Sequence, residues 1–180
     1  MKIVVTGGIG SGKSTVAKML ARKLGFHFSS VDELVWFLYL NDEVHAKLMS
    51  AFDTASREGL STRAFKDPVM RAQLEEIFYP YIWKSITEEI ASHDNLVLEV
   101  PLLFEHGQHL IPLFDEVITV TCPTDVRCQR IMKRDDVGLE HITKKMEAQT
   151  TDWERFRLST IIINNDHDEA YLEDGGRCCC

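Results

Sequence analysis

Long apolar runs are missing from this sequence. The longest, Leu34–Leu40, has seven residues, against the ~20 that a membrane-spanning helix needs, so no membrane partner is expected. The N-terminus breaks into Gly7-Gly8 after four apolar residues, short of the roughly 7–15 of a secretory-signal core. Cysteine is sparse and poorly spaced for chemistry. Cys122 and Cys128 lie in the body and Cys178-Cys179-Cys180 close the chain, with no C-x-x-C pair and no zinc spacing. That usage fits reduced thiols and a cytoplasmic location. Cations are in deficit too: 20 against 28 acids, a formal net charge of −8, which excludes a protein that holds long nucleic acid through a basic surface.

What is present is an ordinary globular composition, 44% hydrophobic and 27% charged over 180 residues, which suits a single soluble domain. The charge is unevenly placed. Residues 1–25 carry +5 and residues 126–157 carry +2, whereas 26–125 carry −11 and 158–180 carry −4. A small anionic ligand is therefore expected between the two positive segments, 1–25 and 126–157.

The β-branched run Lys2–Thr6, bounded by glycines, reads as a buried strand. From Ser14 the apolar residues Val16, Met19, Leu20 and Leu24 recur at helical spacing, and Gly25 supplies a left-handed stop. A short strand over 26–28 ends near Ser30. Residues 32–93 look helical, with stripes Val44-Leu48-Phe52 and Ile82-Ile86-Ile90 and an Asp67-Pro68 helix start. Leu96–Val100, Val117–Thr121 and Thr160–Ile163 are further strands, and Thr124 is a candidate cap for a helix to about Lys133. Strands alternating with helices predict an α/β fold, a parallel sheet covered on both faces.

Gly7-Gly8-Ile9-Gly10-Ser11-Gly12-Lys13-Ser14 fits G-x-x-x-x-G-K-[ST], a loop whose amides cradle phosphate. Lys13 is suited to the outer phosphates and the Ser14 hydroxyl to Mg²⁺, with a helix N-terminus adding dipole attraction. No N-K-x-D accompanies it, which argues against a GTPase switch and for a transferase. Glu99 ends an apolar strand, either where a carboxylate orients the Mg²⁺ shell or merely facing solvent. Asp32 follows the second strand, at the floor of an acceptor site. It can take the proton of an attacking hydroxyl, or it can cap a helix beginning at Glu33. An acceptor phosphate would need cations, and residues 29–56 hold only Lys47. Arg127, Arg130, Lys133 and Arg134 can neutralise a transferring phosphoryl group, or form a solvated face in which Arg134 pairs with Asp135 or Asp136. Trp36, Phe37 and Tyr39 read as packing of a buried helix or as a stacking surface for a base.

Together these residues resemble the dephospho-CoA kinase family. The resemblance runs from Ile3 to about Leu172 through Thr6–Thr15, Val31-Asp32, Pro101-Leu102-Leu103-Phe104-Glu105, Arg130, Arg134-Asp135-Asp136, Ala148-Gln149 and Ile163-Asn164-Asn165. It implies ATP-dependent phosphorylation of the ribose 3′-hydroxyl of dephospho-CoA, giving CoA and ADP. The implied cradle is Gly8, Ile9, Gly10, Ser11, Gly12, Lys13, Ser14 and Thr15. Asp32 is the implied base, Arg134 the lid arginine, and Asn165 is implied near the adenine. The implied fold is the P-loop kinase fold: a five-stranded parallel sheet flanked by helices (core 1–31, 94–125 and 158–172), a helical acceptor-binding insertion (32–93), a lid (126–157) and a flexible tail (173–180), all one domain. The sequence departs from the family pattern at Ser30, Tyr79 and Ser159-Thr160. Two other functions share these residues. One is a nucleoside or deoxynucleoside monophosphate kinase in which Arg63 and Arg71 hold an acceptor phosphate. The other is a nucleotide-binding regulatory module without turnover. Expected partners are ATP, Mg²⁺ and a small-molecule acceptor, in a monomer or small homo-oligomer.

Overall fold

The computed structural model describes residues 1–166. The expected tail 173–180, the end of the expected core segment 158–172 and the Arg63 side chain lie outside the described residues. In chain order the elements are β1 (Lys2–Thr6), α1 (Lys13–Leu24), β2 (His27–Ser30), α2 (Val31–Leu38), α3 (Asp42–Phe52), α4 (Arg57–Lys66), α5 (Pro68–Ser92), β3 (Leu96–Glu99) and α6 (Leu103–His106). A 3-10 turn (Gln108–Leu113), β4 (Glu116–Thr121), α7 (Thr124–Asp135), α8 (Leu139–Glu147), α9 (Asp152–Leu158) and β5 (Ile161–Asn164) follow. Among the described residues no helix is long and apolar enough to cross a membrane.

The five strands form one parallel sheet in the order β2-β3-β1-β4-β5. Central β1 aligns Val5 with Glu99 of β3 and Thr6 with Thr119 of β4. From β1 the chain winds to one side, and from β4 to the other. The crevice between the carboxyl ends of β1 and β4 is therefore the switch point where ligands bind in such sheets. Both faces of β1 are buried, as a covered parallel sheet requires. Ile3 and Val5 pack with Val16, Ala17 and Ala21 of α1 and with Val97, Ile118 and Val120, while Val4 on the opposite face is fully buried.

Two compact units emerge among the described residues, one made of Met1–Ser29 with residues 93–166, the other of Ser30–Ser92. The second is built of helices α2–α5 joined by short turns, with Ser30 at its start. Val44, Leu48 and Phe52 are buried along α3, and Leu74, Phe78, Ile82 and Ile86 along α5. Asp67 caps α5, its carboxylate accepting from the N–H of Val69 at 2.9 Å, with Pro68 in the first helical position.

Several local expectations are revised. The cap of α7 is Pro123, with Thr124 the first helical residue, and the helix runs two residues past Lys133. The charged stretch after it contains α8. Helix α2 begins at Val31, with Ser30 at the cap, so Asp32 lies inside the first turn and does not cap a helix from Glu33.

Candidate active site

The loop after β1 owes its shape to glycine at two positions for different reasons. Gly12 caps α1 with φ at 85°, a left-handed backbone that a side chain resists, and a Cβ there would collide with the Asn165 amide. At Gly8 a Cβ would run into the Arg127 guanidinium. Left-handed residues at both Gly10 and Gly12 turn successive N–H groups to one side, the backbone pattern of an anion nest. Helix α1 opens directly on this loop, its first turn free of acids, so its dipole favours an anion there. The Ser11 hydroxyl is buried and has no hydrogen-bond partner among the described residues.

Glu99 does not face solvent. It is 3% exposed, and its Oε1 accepts a 2.6 Å hydrogen bond from the Ser14 hydroxyl. Parallel pairing of β1 with β3 brings the carboxylate to the loop, because Val5 and Glu99 share a register position. A hydroxyl and a carboxylate are hard oxygen donors. Two such protein ligands fit Mg²⁺, which retains several waters and takes few ligands from the protein.

The three arginines have three different fates. Arg127 is buried, and its Nε donates to the Ile9 carbonyl at 2.9 Å. Its Nη1 lies 3.7 Å from Asp152. Burial lowers its pKa from the ordinary value, and the Asp152 carboxylate raises it in part. Arg130 donates through Nη1 to the Asn165 carbonyl at 3.0 Å and to Cys122 Sγ at 3.4 Å. Arg134 is well exposed at the end of α7 and forms a two-bond fork with Asp135, at 2.6 and 2.8 Å. Arg127 and Arg130 each hold a backbone carbonyl, and Arg134 takes the solvated pairing. Asn165, implied near the adenine, is 4% exposed and donates through Nδ2 to the Ser11 carbonyl at 2.8 Å.

In the helical unit, Asp32 is exposed in the first turn of α2. Lys47 is engaged, its Nζ donating to the Tyr81 hydroxyl at 2.7 Å and lying 3.1 Å from Glu43. These contacts raise the lysine pKa, Tyr81 being the larger cause, and hydrogen bonding by Tyr81 first and Lys47 second lowers that of Glu43. Trp36 and Phe37 are 48% and 61% exposed, so the buried-helix reading fails for them. Tyr39 is half-buried against Phe78, ring centroids 5.0 Å apart.

Four residues that the sequence reading left without a role also touch the loop or what holds it. Gln149 Oε1 accepts from the Ile9 N–H at 2.9 Å. Glu105, which ends the Pro101–Glu105 run, accepts through Oε1 from the Thr150 N–H at 2.8 Å and from Arg155 at 3.1 Å. Arg155 donates to Asp152 at 3.0 Å. A signal existed for this region: Thr151-Asp152-Trp153-Glu154 is a capping box, which announces α9 and with it the face carrying Arg155.

A phosphate-cradling loop at the switch point of a parallel sheet, backed by a hydroxyl–carboxylate pair, defines a P-loop kinase, a phosphotransferase. The family model that matches, over residues 1–170, is that of dephospho-CoA kinase, and the chain belongs to this family. A dephospho-CoA kinase of Desulfotalea psychrophila is 34% identical, over 92% of this chain and 89% of its own. Among solved structures, one from Thermus thermophilus is similar with a TM-score of 0.79 at 30% identity, covering 96% of this chain and 92% of that one. The dephospho-CoA kinase of Campylobacter jejuni gives 0.69 at 28% identity, over 97% and 93%.

Proposed function

We propose that the chain transfers the γ-phosphoryl group of ATP to the ribose 3′-hydroxyl of dephospho-CoA, releasing CoA and ADP. The observation that carries this reading is the family match over residues 1–170, a span that includes both the phosphate loop and the helical unit. The loop Gly8–Thr15 holds the triphosphate through its amides, and Lys13 neutralises the outer phosphates. Ser14 and Glu99 would hold Mg²⁺, which when bound offsets charge on the phosphate oxygens. Asn165 serves the nucleotide through the Ser11 carbonyl it supports.

As the 3′-oxygen bonds to the γ-phosphorus, the bond from that phosphorus to the ADP oxygen breaks and the hydroxyl proton passes to Asp32. A hydroxyl acceptor agrees with the engagement of Lys47 by Glu43 and Tyr81, which removes the one cation of residues 29–56 from service to an acceptor phosphate. The helical unit is the acceptor-binding part, and the exposed Trp36 and Phe37 suit stacking on a base. Arg134 acts on exchanging Asp135 for phosphate oxygens, since its planar fork fits either anion. The partners are small molecules, with neither long nucleic acid nor membrane among them, in a cytoplasmic monomer or small homo-oligomer. Coupled ADP release with dephospho-CoA, set beside a panel of ribo- and deoxynucleoside monophosphates, tests the reading. Turnover confined to dephospho-CoA is expected; faster turnover of a monophosphate, or none of any acceptor, would overturn it.

A further inference from the structure

Ile9 is bonded at both of its backbone polar groups by side chains from distant parts of the chain. Its N–H donates to Gln149 Oε1 at 2.9 Å, and its carbonyl accepts from Arg127 Nε at 2.9 Å. Fixing both groups fixes the rotation of the two peptide planes that flank the residue. Those planes lead into Gly8 on one side and Gly10, at φ 78°, on the other. A glycine-rich loop is otherwise free to adopt many backbone states, and ordering it on nucleotide binding would cost conformational entropy. Arg127 is itself held from behind. Its Nη1 faces Asp152, whose other oxygen binds Arg155, which in turn binds Glu105. The same guanidinium fills the space a side chain at position 8 would need, so Gly8 serves Arg127 as well as the phosphate.

We infer that Gln149 and Arg127 are positioning residues that clamp Ile9 and hold the nucleotide loop in its binding shape before the nucleotide arrives. Asp152 acts through Arg127. The inference rests on the loop being the nucleotide cradle, as proposed above. The segment expected to be a lid thus contributes two fixed anchors to the loop, at its beginning and near its end.

The test is calorimetric titration of the full chain with ADP and Mg²⁺, together with steady-state kinetics. Gln149 is partly exposed and its replacement leaves the core intact, so Gln149→Ala is the primary variant. About a tenfold rise in the ADP Kd and in the KM for ATP is expected, with kcat and the KM for dephospho-CoA within about twofold of the parent. A Kd within twofold of the parent overturns the clamp. So does tighter binding, which would make Gln149 a competitor for the phosphate's place. Asp152→Asn, at a partly exposed residue, is expected to raise the Kd about threefold and to combine with Gln149→Ala less than additively, because both act on Ile9. Full additivity overturns the shared action. Lys13→Ala separates this idea from the one beneath it. If Lys13→Ala weakens ADP while Gln149→Ala does not, the clamp alone falls; if neither does, the cradle reading falls with it.

Discussion

Replacement of Glu105 by alanine should be one of the more damaging single changes in this chain. The Arg155 side chain is 3% exposed and that of Glu105 10%, so the pair is desolvated, and breaking a buried pair from one side strands a charge at a cost of about 3–5 kcal/mol. Two features modify that range. Arg155 retains Asp152 at 3.0 Å, which moves the value toward the lower end. The Thr150 N–H loses its acceptor as well, which adds part of the roughly 1–3 kcal/mol of an unsatisfied donor. Both bonds end on one oxygen, so the costs overlap, and a net loss of about 3–4 kcal/mol follows. Glu105→Gln keeps an oxygen for Thr150 and should cost about half as much. Urea unfolding followed by circular dichroism, extrapolated at constant m, measures both. The double variant Glu105→Leu with Arg155→Met carries the sharper test, because removing both charges should cost less than Glu105→Ala alone. A loss below about 1 kcal/mol for Glu105→Ala, or a double variant worse than the single, would refute the buried-pair reasoning.

Three other outcomes are expected. Glu99→Ala should raise the Mg²⁺ concentration for half-maximal activity by about tenfold, since Ser14 would be left without its carboxylate partner; an unchanged Mg²⁺ titration would remove Glu99 from the metal's surroundings. Gly8→Ala should weaken ADP binding about tenfold or more by displacing Arg127, and a crystal structure showing Arg127 still on Ile9 would contradict that cause. Burial pushes the Cys122 thiol up, against a smaller opposing pull from Arg130, so less thiolate is present at pH 8. Peptide mapping after iodoacetamide should show Cys122 labelled at least about tenfold more slowly in the folded chain than in urea.

Much of the sheet was legible because local pattern and tertiary context agree there. Lys2–Thr6 is β-branched and glycine-bounded, and it is strand β1 residue for residue; Gly25 stops α1 in the left-handed conformation expected of it, φ 67°. The loop was legible because its chemistry needs contiguous residues. What could not be read depends on partners far away in sequence. Arg127, Arg130 and Arg134 recur on one face of a helix, and nothing local tells which of them meets Ile9, 118 residues distant. Gln149 sits in a polar stretch and earns its role from a backbone group 140 residues away. That Glu99 meets Ser14 and not solvent turned on sheet order, which a single strand does not encode. Only the capping alternative for Asp32 failed, on one local detail: Ser30 ends β2 and takes the cap position of α2 at once, leaving no linker before the helix.

The central claim is that a hydroxyl of dephospho-CoA attacks phosphorus with Asp32 as its base. Single-turnover phosphorylation of dephospho-CoA by Asp32→Asn, with the ATP affinity measured alongside, tests it most directly. A rate lower by about 10²–10⁴ with ATP affinity within twofold of the parent is predicted; an unimpaired rate would contradict the claim.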